Sequence, residues 1–325
     1  MVLIKSIQNE QTTCDVIDWL LYYGNTVIRI NEDEKITDLQ FSIDSKNKIN
    51  CIVTFGNRKI NLSNVSSFWF RKGEIDIDIV IHSNSAATQL LKEINEHLSE
   101  ECICIKQFLH FLLKNKKNLG SYYKKGANKL ISLYVAQSIG LKTPQTLISS
   151  KRDELSAFYN SQTSCITKSI QDVLCFNISN EYHFTSTSIV TKNEIDQMDN
   201  SFFPSQLQEN IPKRYELRIF YLLGEFYSMA IFSQQDEQTQ VDFRNYNNKK
   251  PNRNVPFKLP SKIESKLDLF MKKMNLDTGS IDMIVTPELE YIFLEVNPVG
   301  QYDMVSVPCN YYLHEKIAKF LNNGK

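Results

Sequence analysis

The chain lacks most of the patterns that mark well-known sites. None of its seven cysteines, at 14, 51, 102, 104, 165, 175 and 309, belongs to a Cys-x-x-Cys pair. An odd, unpatterned set in a long chain points to reduced thiols in a cytosolic protein. The five histidines, at 82, 97, 110, 183 and 314, are isolated and give no zinc spacing. No Gly-x-x-x-x-Gly-Lys loop is present, which excludes a P-loop fold, and no Gly-x-Gly-x-x-Gly turn follows the first strand, which argues against a dinucleotide site there. The N-terminal stretch turns polar too early for a signal peptide, and no later run has the apolar length that spans a bilayer. Net formal charge is zero, so whole-molecule attraction of nucleic acid is not expected. These absences predict a soluble, cytoplasmic protein with neither nucleic acid nor membrane as partner.

What is present reads as an α/β (α+β) chain of 325 residues, long enough for two or three domains. Val2–Ile4, a helix from about Asp15 to Tyr23 stopped by Gly24, and Thr26–Ile30 make a β-α-β opening. Short strands follow near Phe41, Cys51–Phe55 and Lys59–Leu62, around a Gly56-Asn57 turn. The aromatic strand from Ser67 ends in Arg71-Lys72-Gly73 and reads as core. A helix from about Ala86 to Leu113 repeats apolar residues at helical spacing, and a solvated boundary runs from Lys114 to Gly120. A second unit has a helix over Asn128–Ile139, strands at Thr146–Ile148 and Cys165–Lys168, and a polar loop or loose hairpin from Gln171 to Ser188. A third has strands at Tyr215–Leu222 and Glu225–Phe232, a helix near Ser261–Met274, an acidic hairpin and a last helix at Leu313–Leu321. The domains expected are 1–120, 121–205 and 206–325.

The acidic hairpin is the most informative feature. Ser280–Thr286 and Tyr291–Asn297 both read as strands, and a four-residue loop from Pro287 to Glu290 would pair Thr286 with Tyr291, Ile284 with Phe293 and Asp282 with Glu295. Like charges opposed across a ladder are destabilising, so a cation between them makes sense of the arrangement. Asn297 joins them on the same face by the period of two. Three hard oxygen ligands, needing others to complete an octahedron, suit Mg²⁺ held together with phosphates. The other arrangement compatible with the residues is a solvated hairpin face; Ile284 and Phe293 on the carboxylate side argue for burial.

Cations supply a second signal. Lys129 lies in the first turn of its helix, where the macrodipole disfavours a cation but backbone N–H groups bind phosphate. Lys168 shares a strand face with Ile166, and Arg218 and Arg244 stand in Glu216-Leu-Arg218 and Asp242-Phe-Arg244. Each lysine alone is more often a surface residue with a buried stem. Together, four cations and a three-ligand Mg²⁺ site would neutralise a nucleoside triphosphate.

In this order the elements resemble the ATP-grasp superfamily, and more closely the graspetide peptide maturases, the microviridin-type ester and amide ligases, of the type encoded beside a radical-SAM SPASM protein. The phrases carrying the resemblance are Phe68-Trp-Phe-Arg-Lys-Gly73, Tyr215-Glu-Leu-Arg-Ile-Phe220, Phe232-Ser-Gln234 with Asp242-Phe-Arg244, Thr278-Gly-Ser-Ile-Asp282 and Phe293-Leu-Glu-Val-Asn-Pro-Val-Gly-Gln301. The resemblance implies an N-terminal pre-ATP-grasp βαβ domain, a small central domain and a C-terminal domain, with ATP between the last two. It implies that Lys129 and Lys168 hold the ATP phosphates, that Gln208, Glu209, Asn210 and Ile211 face adenine, and that Glu216 or Glu209 takes the ribose. It further implies Mg²⁺ on Asp282, Glu295 and Asn297, and charge stabilisation by Arg218 and Arg244. The implied partner is a precursor peptide with leader and core, with Asp236 and Glu237 as leader contacts or else a solvated turn. A radical-SAM SPASM protein of the same system and a homodimer are compatible with it. The implied reaction activates Asp or Glu side chains of the peptide and joins them to Thr or Ser hydroxyls, or Lys amines. The alternatives are a ligase that adds a free amino acid to a peptide or protein, and a nucleotide-dependent scaffold without turnover. One departure is that Gln171–Ser188, where related proteins carry a glycine-containing flap, has no glycine.

Overall fold

The chain opens with a strand, a helix and a second strand, as the sequence pattern requires. The computed structural model describes residues 1–46, 49–78, 88–171, 174–178, 181–234 and 251–322, so Asp236, Glu237 and Arg244 lie outside the described residues. The chain divides into two units, one formed by Met1–Lys125 with Tyr312–Lys325 and the other by Gly126–Tyr311.

The first unit begins β1 (Val2–Lys5), α1 (Gln11–Tyr22), β2 (Val27–Ile30), β3 (Lys35–Ile43), β4 (Ile49–Phe55), β5 (Arg58–Asn61), β6 (Ser67–Phe70), β7 (Asp76–Ile77), α2 (Thr88–Lys114) and β8 (Lys117–Leu119). Its parallel sheet has the order β2-β1-β6-β8, and a second sheet has the order β5-β4-β3-β7. Helix α1 starts four residues before the sequence predicts, because its N-cap is Glu10, whose Oε2 accepts from Thr13 N at 2.8 Å. Glu10 is buried, and Arg71 Nη2 reaches its Oε1 at 2.9 Å. Arg71 after the aromatic strand is thus committed to the interior, while Lys72 is half-buried beside the same carboxylate. Burial would raise the Glu10 carboxyl, but Arg71, the hydroxyls of Thr12 and Thr13, and Lys72 outweigh it and hold it at about 2.

The second unit runs α3 (Lys129–Ser138), β9 (Thr146–Lys151), α4 (Arg152–Asn160), β10 (Cys165–Thr167), β11 (Cys175–Ile178), β12 (Glu181–Phe184), β13 (Ser188–Val190), α5 (Lys192–Asp196), β14 (Ser201–Glu209), β15 (Tyr215–Leu222), β16 (Glu225–Phe232), β17 (Arg253–Phe257), α6 (Ser261–Lys273), β18 (Thr278–Val285), β19 (Tyr291–Asn297) and α7 (Asp303–Ser306). Two antiparallel sheets dominate it, β13-β10-β14-β9 and β17-β16-β15-β18-β19. The polar Gln171–Ser188 stretch contains the exposed hairpin β11-β12. The expected boundary at 205/206 falls inside β14, a strand of the first of these sheets.

The larger sheet has two unlike faces. Leu217, Ile219, Tyr221, Ile281, Met283, Val285, Phe293 and Val296 pack on one of them with Leu267, Phe270 and Met271 of α6. This places Phe293 on the side opposite the carboxylates and corrects the sequence reading. The other face carries Glu216 and Arg218 from β15 and Asp282 and Ile284 from β18. It closes at one end, where Phe220 meets Tyr302 at 4.7 Å between ring centroids and Met229 and Ile231 pack on Val305.

Helix α8 (Leu313–Leu321) ends the described fold. The sequence reading kept it with the third domain, but it packs in the first unit, burying Leu313, Ile317, Ala318 and Leu321. Its apolar stripe is evident in the sequence, but the partner of that stripe, α1 among others, is remote in sequence.

Candidate functional site

The acidic hairpin forms, but in a register that is reached differently from the predicted one. Thr286 N donates to Glu290 O at 3.0 Å and Leu289 N to Thr286 O at 2.9 Å, with Leu289 at φ 64°. The loop is therefore three residues, Pro287–Leu289, a turn followed by a left-handed residue. Val285 rather than Thr286 faces Tyr291, and Met283 rather than Ile284 faces Phe293. A β-bulge at Leu294 then restores Asp282 opposite Glu295, with Ser280 opposite Asn297. The bulge turns both Leu294 and Glu295 toward the cleft that Asp282 and Ile284 also line.

Each opposed carboxylate is met by a cation. Arg218 Nη1 donates to both oxygens of Asp282 at 2.6 Å, directly across the β15–β18 ladder. Lys129 Nζ lies 3.2 Å from Glu295 Oε2. The helix it begins is capped by Asn128, whose side chain accepts from Leu130 N and Ile131 N. Asn297 Oδ1 accepts from Val299 N at 3.1 Å, and Gly300 N returns to Asn297 O at 3.1 Å. Gly300 is required there, because a Cβ would lie 2.6 Å from Ser280 Cβ.

The cleft lies between the two sheets of the second unit. One wall is the end of β14, with Gln208 and Glu209, and the start of its connection to β15, with Asn210 and Ile211. Gln208 Nε2 donates to Thr146 Oγ1 at 2.7 Å, Glu209 Oε2 accepts from Gln145 N at 3.1 Å, and Asn210 N donates to Ser164 O at 3.0 Å, so this wall is fixed to the smaller sheet. Lys168, just beyond β10, lines the cleft with Ile166, on the shared face that the sequence reading expects. Pro144, Ile166, Ile211, Ile284 and Leu294 make the apolar part. The floor is Glu216, Asp282 and Glu295.

Lys213 also lines the cleft and was not found by sequence reasoning. Its Nζ donates to Glu216 Oε1 at 2.6 Å, with the two side chains only 7% and 9% exposed. Ser233 Oγ donates to the same oxygen at 2.9 Å. Burial is the largest influence and leaves the Glu216 carboxyl raised, with Asp282 adding to the rise, while Lys213 and Ser233 offset part of it. The available signal was Lys213 three residues before a strand glutamate, a spacing too common to single out.

The described residues thus bring Lys168, Gln208, Glu209, Asn210, Ile211, Glu216, Asp282 and Glu295 to one cleft. Lys129 and Arg218 reach it through the carboxylates they hold. Asn297 stands one step further along β19, exposed, in its own turn. Arg244, Asp236 and Glu237 lie outside the described residues. The donor set fits a hard divalent cation: two carboxylates are opposed at a cleft, and each now needs a cationic partner.

No protein-family model and no curated protein sequence matches the chain. Solved structures do. A RiPP-associated ATP-grasp ligase of Chryseobacterium gregarium, in complex with ADP and a leader and core peptide, matches at TM-score 0.78 and 25% identity over 98% of this chain and 94% of that one. The macrocyclase MdnC, bound with precursor peptide MdnA from Microcystis aeruginosa MRC, matches at 0.77 and 28% identity over 99% of both chains. The ATP-grasp ligase PsnB, complexed with minimal precursor, Mg and ADP, matches at 0.70 and 11% identity over 98% of this chain and 96% of that one, a likeness of fold alone. The chain has the ATP-grasp fold, and structures similar to it are ATP-grasp ligases associated with ribosomally made peptides. Among the described residues no helix is long and apolar enough to cross a membrane.

Proposed function

We propose that the chain is an ATP-dependent peptide ligase that activates Asp or Glu side chains of a precursor peptide and joins them to Thr or Ser hydroxyls, or Lys amines, forming macrocyclic esters or amides. The observation that carries this reading is Asp282 facing Glu295 on the floor of a cleft that Lys168 enters from the opposite sheet. Its likeness to peptide-bound ATP-grasp ligases across nearly the whole chain supports a peptide as the substrate.

The roles follow from position and chemistry. The β14–β15 connection and its apolar neighbours would take adenine, and Glu216, with Glu209 nearby, would accept from the ribose. Lys168 and Lys129 would hold phosphate oxygens. Asp282, Glu295 and Asn297 would hold Mg²⁺, which supplies neutralisation of the phosphates and polarisation of the transferred group. Arg218, with Arg244 as the sequence assigns it, would stabilise charge on the transferred phosphoryl.

A peptide carboxylate oxygen attacks the γ-phosphorus of ATP, the bond to the β,γ-bridging oxygen breaks, and ADP leaves. The resulting acyl phosphate is attacked by a hydroxyl or amine of the same peptide. Phosphate departs, and the nucleophile's proton is lost to solvent or to a basic group. No protein nucleophile is needed; the protein's part is to orient the groups and exclude water from the acyl phosphate. The test is intact mass on a leader-bearing, Thr- and Asp/Glu-rich peptide with ATP and Mg²⁺. The expected result is ATP-dependent loss of about 18 Da, one water for each bond condensed. A gain of one amino-acid residue, or unchanged mass with ADP formed, would reject the reading.

A further inference from the structure

Glu216 lies between the two ends of the cleft. The β14–β15 connection is just upstream in the chain, and Arg218, two residues downstream on the same strand face, grips Asp282. Two residues along a strand span roughly 7 Å, so Glu216 is spaced between a base-binding wall and the carboxylate floor. Its carboxylate is nearly enclosed, and such a group takes up a proton unless it is paired. Lys213 and Ser233 both bond to Oε1. An ionised carboxylate accepts only, with a second oxygen to offer, whereas a protonated one also donates. The charge on Glu216 therefore decides whether it can receive two neighbouring hydroxyls.

We infer that Lys213 is a positioning residue that holds Glu216 as a fixed carboxylate and so sets the preference of the cleft for a ribonucleotide over a nucleotide without ribose hydroxyls. This rests on the nucleotide reading above. Lys213 acts through Glu216 and not on the phosphates, which Lys168 and Lys129 would meet at the other end.

The test is calorimetric binding of ADP and of 2′,3′-dideoxy-ADP, each with Mg²⁺, to the wild-type chain and to Lys213→Met, Lys213→Arg and Ser233→Ala. Wild type is expected to favour ADP by roughly tenfold or more, the worth of a charged hydrogen bond. In Lys213→Met, ADP should weaken more than the dideoxy nucleotide, so that the preference falls to about twofold or less, and Lys213→Arg should restore most of it. Ser233→Ala keeps the ion pair and should lose part of the preference, which provides a reading even if Lys213→Met does not fold. Circular dichroism establishes that each variant is folded before its affinities are compared. Retained discrimination in Lys213→Met, parallel loss of both ligands, or a wild-type chain that binds both equally overturns the inference while leaving the nucleotide site standing. A wild-type chain that binds neither removes the nucleotide reading and this inference with it.

Discussion

Arg218 and Asp282 form one closed ion pair between adjacent strands, with Nη1 at 2.6 Å from both carboxylate oxygens and the side chains about 10% and 9% exposed. Removing one member strands a buried charge. Asp282→Ala is expected to cost about 3–5 kcal/mol of stability, read as a lower midpoint in urea. Replacing both members by apolar residues of similar volume should recover most of that loss, because the desolvation of both charges is then avoided. A single Asp282→Ala as stable as wild type would contradict the pairing.

The second pair has a different exposure and a different expectation. Lys129 Nζ lies 3.2 Å from Glu295 Oε2, an oxygen that a metal at the proposed site would need. Lys129→Met should tighten Mn²⁺ binding in the absence of nucleotide, by roughly the tenfold that about 1.4 kcal/mol represents, while weakening ADP. Titration by electron paramagnetic resonance follows free Mn²⁺ directly. Weaker Mn²⁺ binding in the variant would mean that Lys129 does not occupy a metal ligand.

Glu295→Gln retains the shape of the side chain and removes its charge. Mg²⁺-dependent nucleotide binding is expected to fall by at least tenfold with a thermal midpoint within a few degrees of wild type, since a partly exposed pair contributes about 1 kcal/mol or less. Calorimetry with and without Mg²⁺ separates the two effects. Full Mg²⁺ dependence in the variant would remove Glu295 from the site.

Acid stability should be dominated by the first unit. The Glu10 carboxyl falls from an ordinary 4.5 to about 2 on folding. A depressed folded value means that its contribution, about 3 kcal/mol at neutral pH, is complete above 4.5 and is lost as pH falls toward about 2. Glu10→Gln should flatten the loss of stability between these limits, measured by denaturant unfolding at successive pH values. An unchanged slope would place the acid sensitivity elsewhere.

Gly300→Ala is expected to disturb Asn297 without touching the carboxylates, because the added carbon would lie 2.6 Å from Ser280 Cβ. An overpacking cost of about 1–3 kcal/mol and weaker Mg²⁺ binding should appear together. Unaltered stability would mean that the Asn297–Gly300 turn yields without resistance.

Much of this site could be read from the sequence because opposed carboxylates and a strand lysine obey short, strict periodicities. The pairing of Asp282 with Glu295 was reached through two departures that cancel. A loop one residue shorter than predicted shifted the ladder, and the bulge at Leu294 shifted it back. Neither is encoded by alternation: Leu289 adopts a left-handed backbone that leucine rarely favours, and a bulge breaks the period that would reveal it. Phe293 was put on the wrong face for the same reason. Lys213 escaped notice because its role comes from burial, which a linker lysine gives no sign of. The placement of α8 escaped because an amphipathic helix states that it needs a partner and not which one.

That placement bears on the order in which the protein is made. Residues 313–321 leave the ribosome after the whole of Gly126–Tyr311, so the first unit waits, without Leu313, Ile317 and Leu321, while the second is synthesised. The first unit is therefore completed only after the second has been made, and until then the surface of α1 that will receive α8 is bare and open to misassociation.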